Sequence, residues 1–378
     1  MTQSRSSLSH AILISTTLLA TPLLFADEPD TRHGAVEDGH KDLSFEGGIT
    51  LTGQHASDGR IDDELSASLD LVATLPMGPG LWTLYVEGNT TPRNNGISSV
   101  LGEANADIGS ALDGDDSGRL QVSELHYAIS LASGELVTGL IDASSFLDAS
   151  KVANDETAQF LGAGFVNNPT IEFPDYSLGA VWHYDATADH PGLTLLFASS
   201  HGLADNDGKY GQLFDLGDDG KGAFAAAEAY GYFGWGIWRL GVWSNTADHT
   251  RLDSSSDQEN NWGLYGVADG GFGETRWNLR LGWADASVSE SADFIAITLE
   301  QPAGPATLGA GIARTGVSSN LIGGDDSLQA ELYARFELTG GVQITPDLQW
   351  IRNSGLDGSG SSHDRSIWVA GVRAGYTF

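Results

Sequence analysis

The chain has 378 residues, a formal charge of −33, ten tryptophans and no cysteine. That acidity disfavours nucleic acid and anionic surfaces as partners and favours cations. The missing thiols exclude a disulfide scaffold and a thiolate metal site.

Residues 1–26 have the form of a secretory signal peptide: Arg5 near the start, an apolar run from Ala11 to Leu24, and the small Ala26. Residues 27–42 are polar and charged and read as a short periplasmic lead-in. No later stretch approaches the ~20 apolar residues of a spanning helix. From Leu43 onward the chain alternates instead. Leu43, Phe45, Ile49 and Leu51 stand against Glu46, Thr50, Thr52 and Gln54. Leu65–Leu75 and Leu81–Asn89 repeat the pattern. Further segments follow near 120–132, 134–142, 176–186, 191–201, 223–233, 235–245, 260–268, 276–285, 292–301 and 306–315, with the last three near 326–338, 341–353 and 365–378. The clearest is Leu328–Leu338, where every second residue is apolar. Period-two alternation marks a strand with one apolar and one polar face. Strands of about 9–11 residues can cross a bilayer when tilted.

The segments number sixteen, and their connections alternate in kind. Short Pro- and Gly-rich turns such as Pro76–Gly80, Pro302–Pro305 and Thr339–Gly341 alternate with long acidic loops near 90–118, 143–175, 202–222, 246–259 and 354–364. Short periplasmic turns opposite long outer loops is the pattern of outer-membrane barrels. The expected fold is therefore all-β, a transmembrane antiparallel β-barrel of about sixteen strands over residues 43–378. Parity sends Trp82, Trp182, Trp238, Trp262, Trp277, Trp283, Trp350 and Trp368 toward lipid, where aromatic girdles form.

The same parity predicts a watery lumen lined by Glu46, Asp70, Glu87, Glu228, Glu331, Glu337 and Asp347, with Arg239, Arg280, Arg335 and Arg373 as the cations and His126 and His183 as lining histidines. The segment 143–175 mixes helical spacing (Phe146, Val152, Phe160, Leu161) with a Pro-stiffened return, Phe165–Pro174. Long ordered loops in compact domains are usually functional, so this one is expected to be partly helical, to fold inward and to constrict the lumen; the alternative is a surface cap. The predicted solute contacts are Arg280, Arg335, Arg373, Glu331 and Asp347, with Phe160 and Asn167 from the loop. Asp113, Asp115, Ser117 and Glu124 match positions 1, 3, 5 and 12 of a calcium loop, with Gly118 at 6. The flanking strand lacks the helices of that motif, so an acidic outer loop is the competing reading. No catalytic constellation stands out, and no cofactor is required.

The chain resembles the OprB-type carbohydrate-selective porins in three stretches: Gln121–Ile141 with Gly139 and Asp142, Gln159-Phe160 through Phe165-Val-Asn-Asn-Pro169 to Pro174, and Ile344–Asn353 with its Thr-Pro-Asp-Leu-Gln-Trp run, where the family usually has Tyr in place of Trp350. The resemblance implies a sixteen-stranded outer-membrane barrel that admits monosaccharides and similar small solutes by passive diffusion, with charged residues touching sugar; sixteen strands are compatible with a homotrimer or a monomer. This chain departs from the family in its acidity and scarcity of arginine, which favours a cation-preferring diffusion porin as the second reading. An outer-membrane enzyme and a structural barrel are the remaining classes.

Overall fold

The computed structural model describes residues 42–108, 118–132, 134–187, 189–203, 209–213, 222–253, 255–321, 323–354 and 366–378. The expected signal peptide, and all but the last residue of the lead-in, lie outside them.

Sixteen strands run in chain order: β1 (Ser44–Ala56), β2 (Glu64–Met77), β3 (Gly80–Asn89), β4 (Arg119–Leu131), β5 (Gly134–Ile141), β6 (Ser177–Tyr184), β7 (Gly192–Ser199), β8 (Ala223–Phe233), β9 (Gly236–Thr250), β10 (Gln258–Phe272), β11 (Thr275–Ala284), β12 (Ser291–Ala303), β13 (Ala306–Val317), β14 (Ser327–Glu337), β15 (Val342–Arg352) and β16 (Ser366–Thr377). Each pairs antiparallel with its sequence neighbours, and β1 pairs with β16 to close the barrel. Closure leaves no sheet edge unpaired around the ring, which a strand-built membrane protein requires. Among the described residues no helix is long and apolar enough to cross a membrane.

The hairpin turns follow from their residues. Met77 pairs with Gly80 and Ala303 with Ala306, leaving Gly78-Pro79 and Gly304-Pro305 as two-residue loops. Gly78 and Gly304 take φ of 67° and 63°. A positive φ at the first loop residue followed by a proline is the II′ geometry, whose twist matches that of paired strands.

The alternation sorts the wall as expected. Leu51, Leu65, Leu240, Leu264, Ile297, Ile312, Leu332 and Val372 are exposed on the outside. Thr52, Ser66, Gly241, Tyr265, Thr298, Ala313, Glu331 and Arg373 alternate with them and are mostly buried within. Trp262, Trp283 and Trp368 stand exposed on the outer face, and the other five tryptophans assigned to lipid share its parity. The outward belt is the lipid-facing surface of a bacterial outer-membrane β-barrel.

One expectation about the interior needs revision. The lumen is not polar all round: Val137, Val181, Leu196, Phe224, Trp243 and Val267 face inward on β5 to β10 and form an apolar cluster with Leu147 and Ile171 of the β5–β6 loop. These side chains are apolar because a loop covers them, not because water does.

Candidate functional site

The connection between β5 and β6 returns over the inner wall. Its own polar side chains shape it first. Asp142 accepts from the Ser144 amide, Asp155 from the amides of Thr157 and Ala158, and Asn168 from that of Thr170. Such local bonds replace a regular ladder where no strand partner exists. A 3-10 turn (Ala143–Ser145) and the four-residue helix α1 (Ala163–Val166) are its only helical parts. Phe160, between them, and Phe165, within the helix, insert with ring centroids 4.9 Å apart into a cluster with Phe294, Ala296, Ala313 and Tyr333. Gly162 passes so close to β14 that a Cβ would lie 2.2 Å from the Gln329 amide.

The wall then binds this loop by its backbone. Glu331 on β14 accepts from the amides of Leu161 and Gly162, both at 2.8 Å. Arg280 on β11 donates to the carbonyls of Phe165 (2.8 Å), Asp148 (2.9 Å) and Ala153 (3.1 Å), and its Nε lies 3.0 Å from the Asp148 carboxylate. Arg373 on β16 donates to Gln159 O at 2.6 Å and Arg335 on β14 to Ala158 O at 2.6 Å. Glu228 on β8 accepts from the Asp148 amide, and Asp269 on β10 from the Ser150 hydroxyl. Near the outer rim Glu172 accepts from Asn261 at 2.9 Å and pairs with His249 at 2.7 Å. Hydrogen bonds to charged groups contribute about 1.5–3 kcal/mol each, so the loop is fixed along the inner wall.

A second loop, between β3 and β4, also folds inward, and the sequence reading placed it among the outer loops. Its helix α2 (Ile97–Val100) and a following 3-10 turn (Gly102–Ala104) put Ile97, Leu101 and Ala104 against Ile351, Ile367 and Val369. The carbonyl of Ala104 accepts from Gln54 and Gln349, and that of Glu103 from Gln329. The two loops meet where the Ala106 amide donates to Leu161 O at 2.9 Å. The signal was present as the apolar spacing of Ile97, Val100, Leu101 and Ala104.

Among the described residues, the two loops cover a sector on β2 to β4 less fully. Asp70, Tyr85, Glu87 and Gln121 face inward and are half-buried. The Tyr85 hydroxyl donates to Asp70, and the Ser123 hydroxyl to Glu87. Arg119, which sequence reasoning passed over, lies 3.5 Å from Glu87 with its guanidinium over the Tyr176 ring. Asp107, from the second loop, accepts from the Ser68 hydroxyl at 2.7 Å. Burial raises its pKa to about 6, with Asp70 adding to the rise and the Ser68 bond opposing it. Beside α1, Asn167, Pro169, Glu103, Thr315, Ser327 and Gln329 line a cleft of about 200 Å3.

The predicted contacts therefore divide. Arg280, Arg373 and Glu331 are fully buried against the loop, and Phe160 of the loop is fully buried against the wall. Arg335 is half-buried and Asn167 exposed. Asp347 is buried opposite Gly371, and neither of its oxygens has a hydrogen-bond partner among the described residues. Of the calcium-loop residues, Asp113, Asp115 and Ser117 lie outside the described residues; Glu124 is buried in β4, 3.5 Å from His126. His183 bonds Thr194 and Tyr230.

No family model matches the chain. A curated relative from Aquifex aeolicus (strain VF5), itself an uncharacterized protein, is 29% identical over 98 residues; the match covers 26% of this chain and 31%, about a third, of that relative. Among solved structures, Pseudomonas putida OprB superposes with a TM-score of 0.67 at 15% identity, covering 89% of this chain and 94% of that one. A variant of the Rh. blastica porin gives 0.54 at 13% identity, and OmpT, an outer membrane protein of Vibrio cholerae, 0.53 at 12%; each covers 89% of this chain, with 100% and 99% of their own length matched. Strand number, closure, outward belt and these likenesses agree: the chain has the outer-membrane porin fold, of the OprB type.

Proposed function

We propose that this protein is a passive outer-membrane channel for monosaccharides and similar small hydrophilic solutes, with the β5–β6 loop narrowing its lumen. The observation that carries the reading is the division of the inner wall. One part is covered by bonded loops, and the other presents half-buried carboxylates and a phenol at Asp70, Tyr85 and Glu87. Hydroxyl-rich solutes exchange water for such groups weakly enough to leave again. Asn167 and Arg335 would meet the solute directly. Arg280, Arg373, Glu331 and Phe160 would act through the loop they hold. The likeness to OprB supports sugar as the solute class.

A second reading, a cation-preferring diffusion channel, is favoured by one specific observation. Arg280 and Arg373 are spent on loop carbonyls, whereas Asp70, Glu87 and Asp107 keep partial exposure. The two readings part in planar bilayers. Sugar passage predicts that glucose reduces single-channel ion current and that liposomes bearing the protein swell in glucose. A channel that carries a cation-signed reversal potential but shows neither glucose effect is the general porin instead.

A further inference from the structure

Eight arginines sit in strands, and six of them (Arg119, Arg239, Arg276, Arg280, Arg335, Arg373) face the interior beside acids or loop carbonyls. Arg314 and Arg352 are the two that share parity with the lipid-facing belt. They lie on β13 and β15 on either side of Leu328, which pairs with both. β15 starts from the tight turn after Glu337 and ends at the long connection, so Arg352 is at the outer end of the barrel. Arg314 is neutralised by Asp293 and Asp326. Arg352 is exposed, and among the described residues its guanidinium has no hydrogen-bond or ion-pair partner.

An outward arginine is costly at the bilayer centre and tolerated near the interface. In a chain with 51 acids and 18 lysines and arginines, an outward guanidinium that has no partner among the described residues is open to an external anion. The two arginines, with Leu328, Asn353, Gly324, Asp325 and Asp326, line one rim cleft of about 390 Å3. Trp350 and Trp368 share the same outer face on β15 and β16, where indoles seat at headgroup level. We propose that this cleft binds a phosphorylated lipid headgroup of the outer leaflet, with the Arg352 fork taking the phosphate while Arg314 stays paired with Asp293 and Asp326 on the other side. Guanidinium matches phosphate through two parallel N–H donors. Asp325 and Asp326 balance the two arginines of the lining, which favours a headgroup that also brings hydroxyls over a bare anion.

The test is native mass spectrometry of the full-length protein in detergent with lipid A, with dephosphorylated lipid A of the same acyl chains, and with inorganic phosphate. The parent protein should bind lipid A, and Arg352→Gln should weaken that binding about tenfold, the loss expected of one charge-assisted contact. Arg352→Lys should fall between them, since it keeps the charge and loses the fork. Dephosphorylated lipid should bind the parent only as well as lipid A binds Arg352→Gln. Equal binding of both lipids by the parent, or equal lipid A binding by parent and Arg352→Gln, overturns the site. Inorganic phosphate binding as tightly as lipid A overturns the lipid assignment. Arg352→Gln that still shows the heat-dependent gel shift of a folded barrel keeps these outcomes interpretable.

Discussion

The inner wall from β8 to β16 and the inner wall of β2 to β4 are built from the same alternation, yet their charged groups have opposite fates. On the first, Arg280, Arg373 and Glu331 lose nearly all exposure to the backbone of one loop. On the second, Asp70, Tyr85 and Glu87 remain half-buried and bond mainly to side chains. The contrast shows that inward parity is necessary but not sufficient for a solute-facing residue. Where the loop lands decides which inward charges stay wet.

The bonded side can be broken at its centre. Arg280→Ala should have the largest effect, because it leaves the buried Asp148 carboxylate without its counter-charge and removes the guanidinium donor from four loop carbonyls. Removing one partner of a buried ion pair costs about 3–5 kcal/mol. The barrel, whose strand ladder is untouched, should still close. We expect loss of loop protection to limited proteolysis, together with larger and noisier single-channel conductance. Unchanged conductance with a protected loop would mean that Arg280 is not what holds it.

Glu331→Ala should act in the same direction and more weakly. It strands the amides of Leu161 and Gly162, each a buried donor worth about 1–3 kcal/mol when unpaired. Phe160 and Phe165 still pack on Tyr333 and Phe294 and retain the loop in part. Hydrogen exchange should rise at residues 160–163 and stay near parent values at Asp148, which Glu228 and Arg280 hold independently.

These two residues also show how far sequence reached. The strand positions, their parity, the closure and the inward direction of Arg280 and Glu331 follow from period-two alternation and turn residues, which are local. That both would be consumed by one loop depends on contacts more than 100 positions apart, such as Arg280 with Phe165 and Glu331 with Leu161. No local pattern encodes those. Phe160 misled for the same reason: an aromatic in a polar loop suits a sugar platform and a buried anchor equally, and only its packing on Phe165 and Tyr333 distinguishes them. The inward β3–β4 loop was obscured by the acidic stretch that follows it, although Ile97, Leu101 and Ala104 mark an apolar face.

The less covered side gives the smallest and most diagnostic effect, through Asp107. Its carboxyl is held at about 6, above the ordinary 3.8, chiefly by burial. A raised pKa means that the folded protein prefers the protonated form. The associated stability is complete below the ordinary carboxylate range and is lost as pH climbs through about 6. For permeation the sign is opposite in use: above pH 6 the sector beside Asp70 and Glu87 carries one more negative charge. Cation preference, read as reversal potential in a salt gradient, should therefore fall as pH is lowered from 7 to 5, with a midpoint near 6. Asp107→Asn should show the low-pH preference throughout and lose the step, while keeping the Ser68 contact through its side-chain oxygen. A step that survives in Asp107→Asn would assign the titration to another group and remove Asp107 from the ion path, leaving the comparison between the two walls to rest on Asp70 and Glu87 alone.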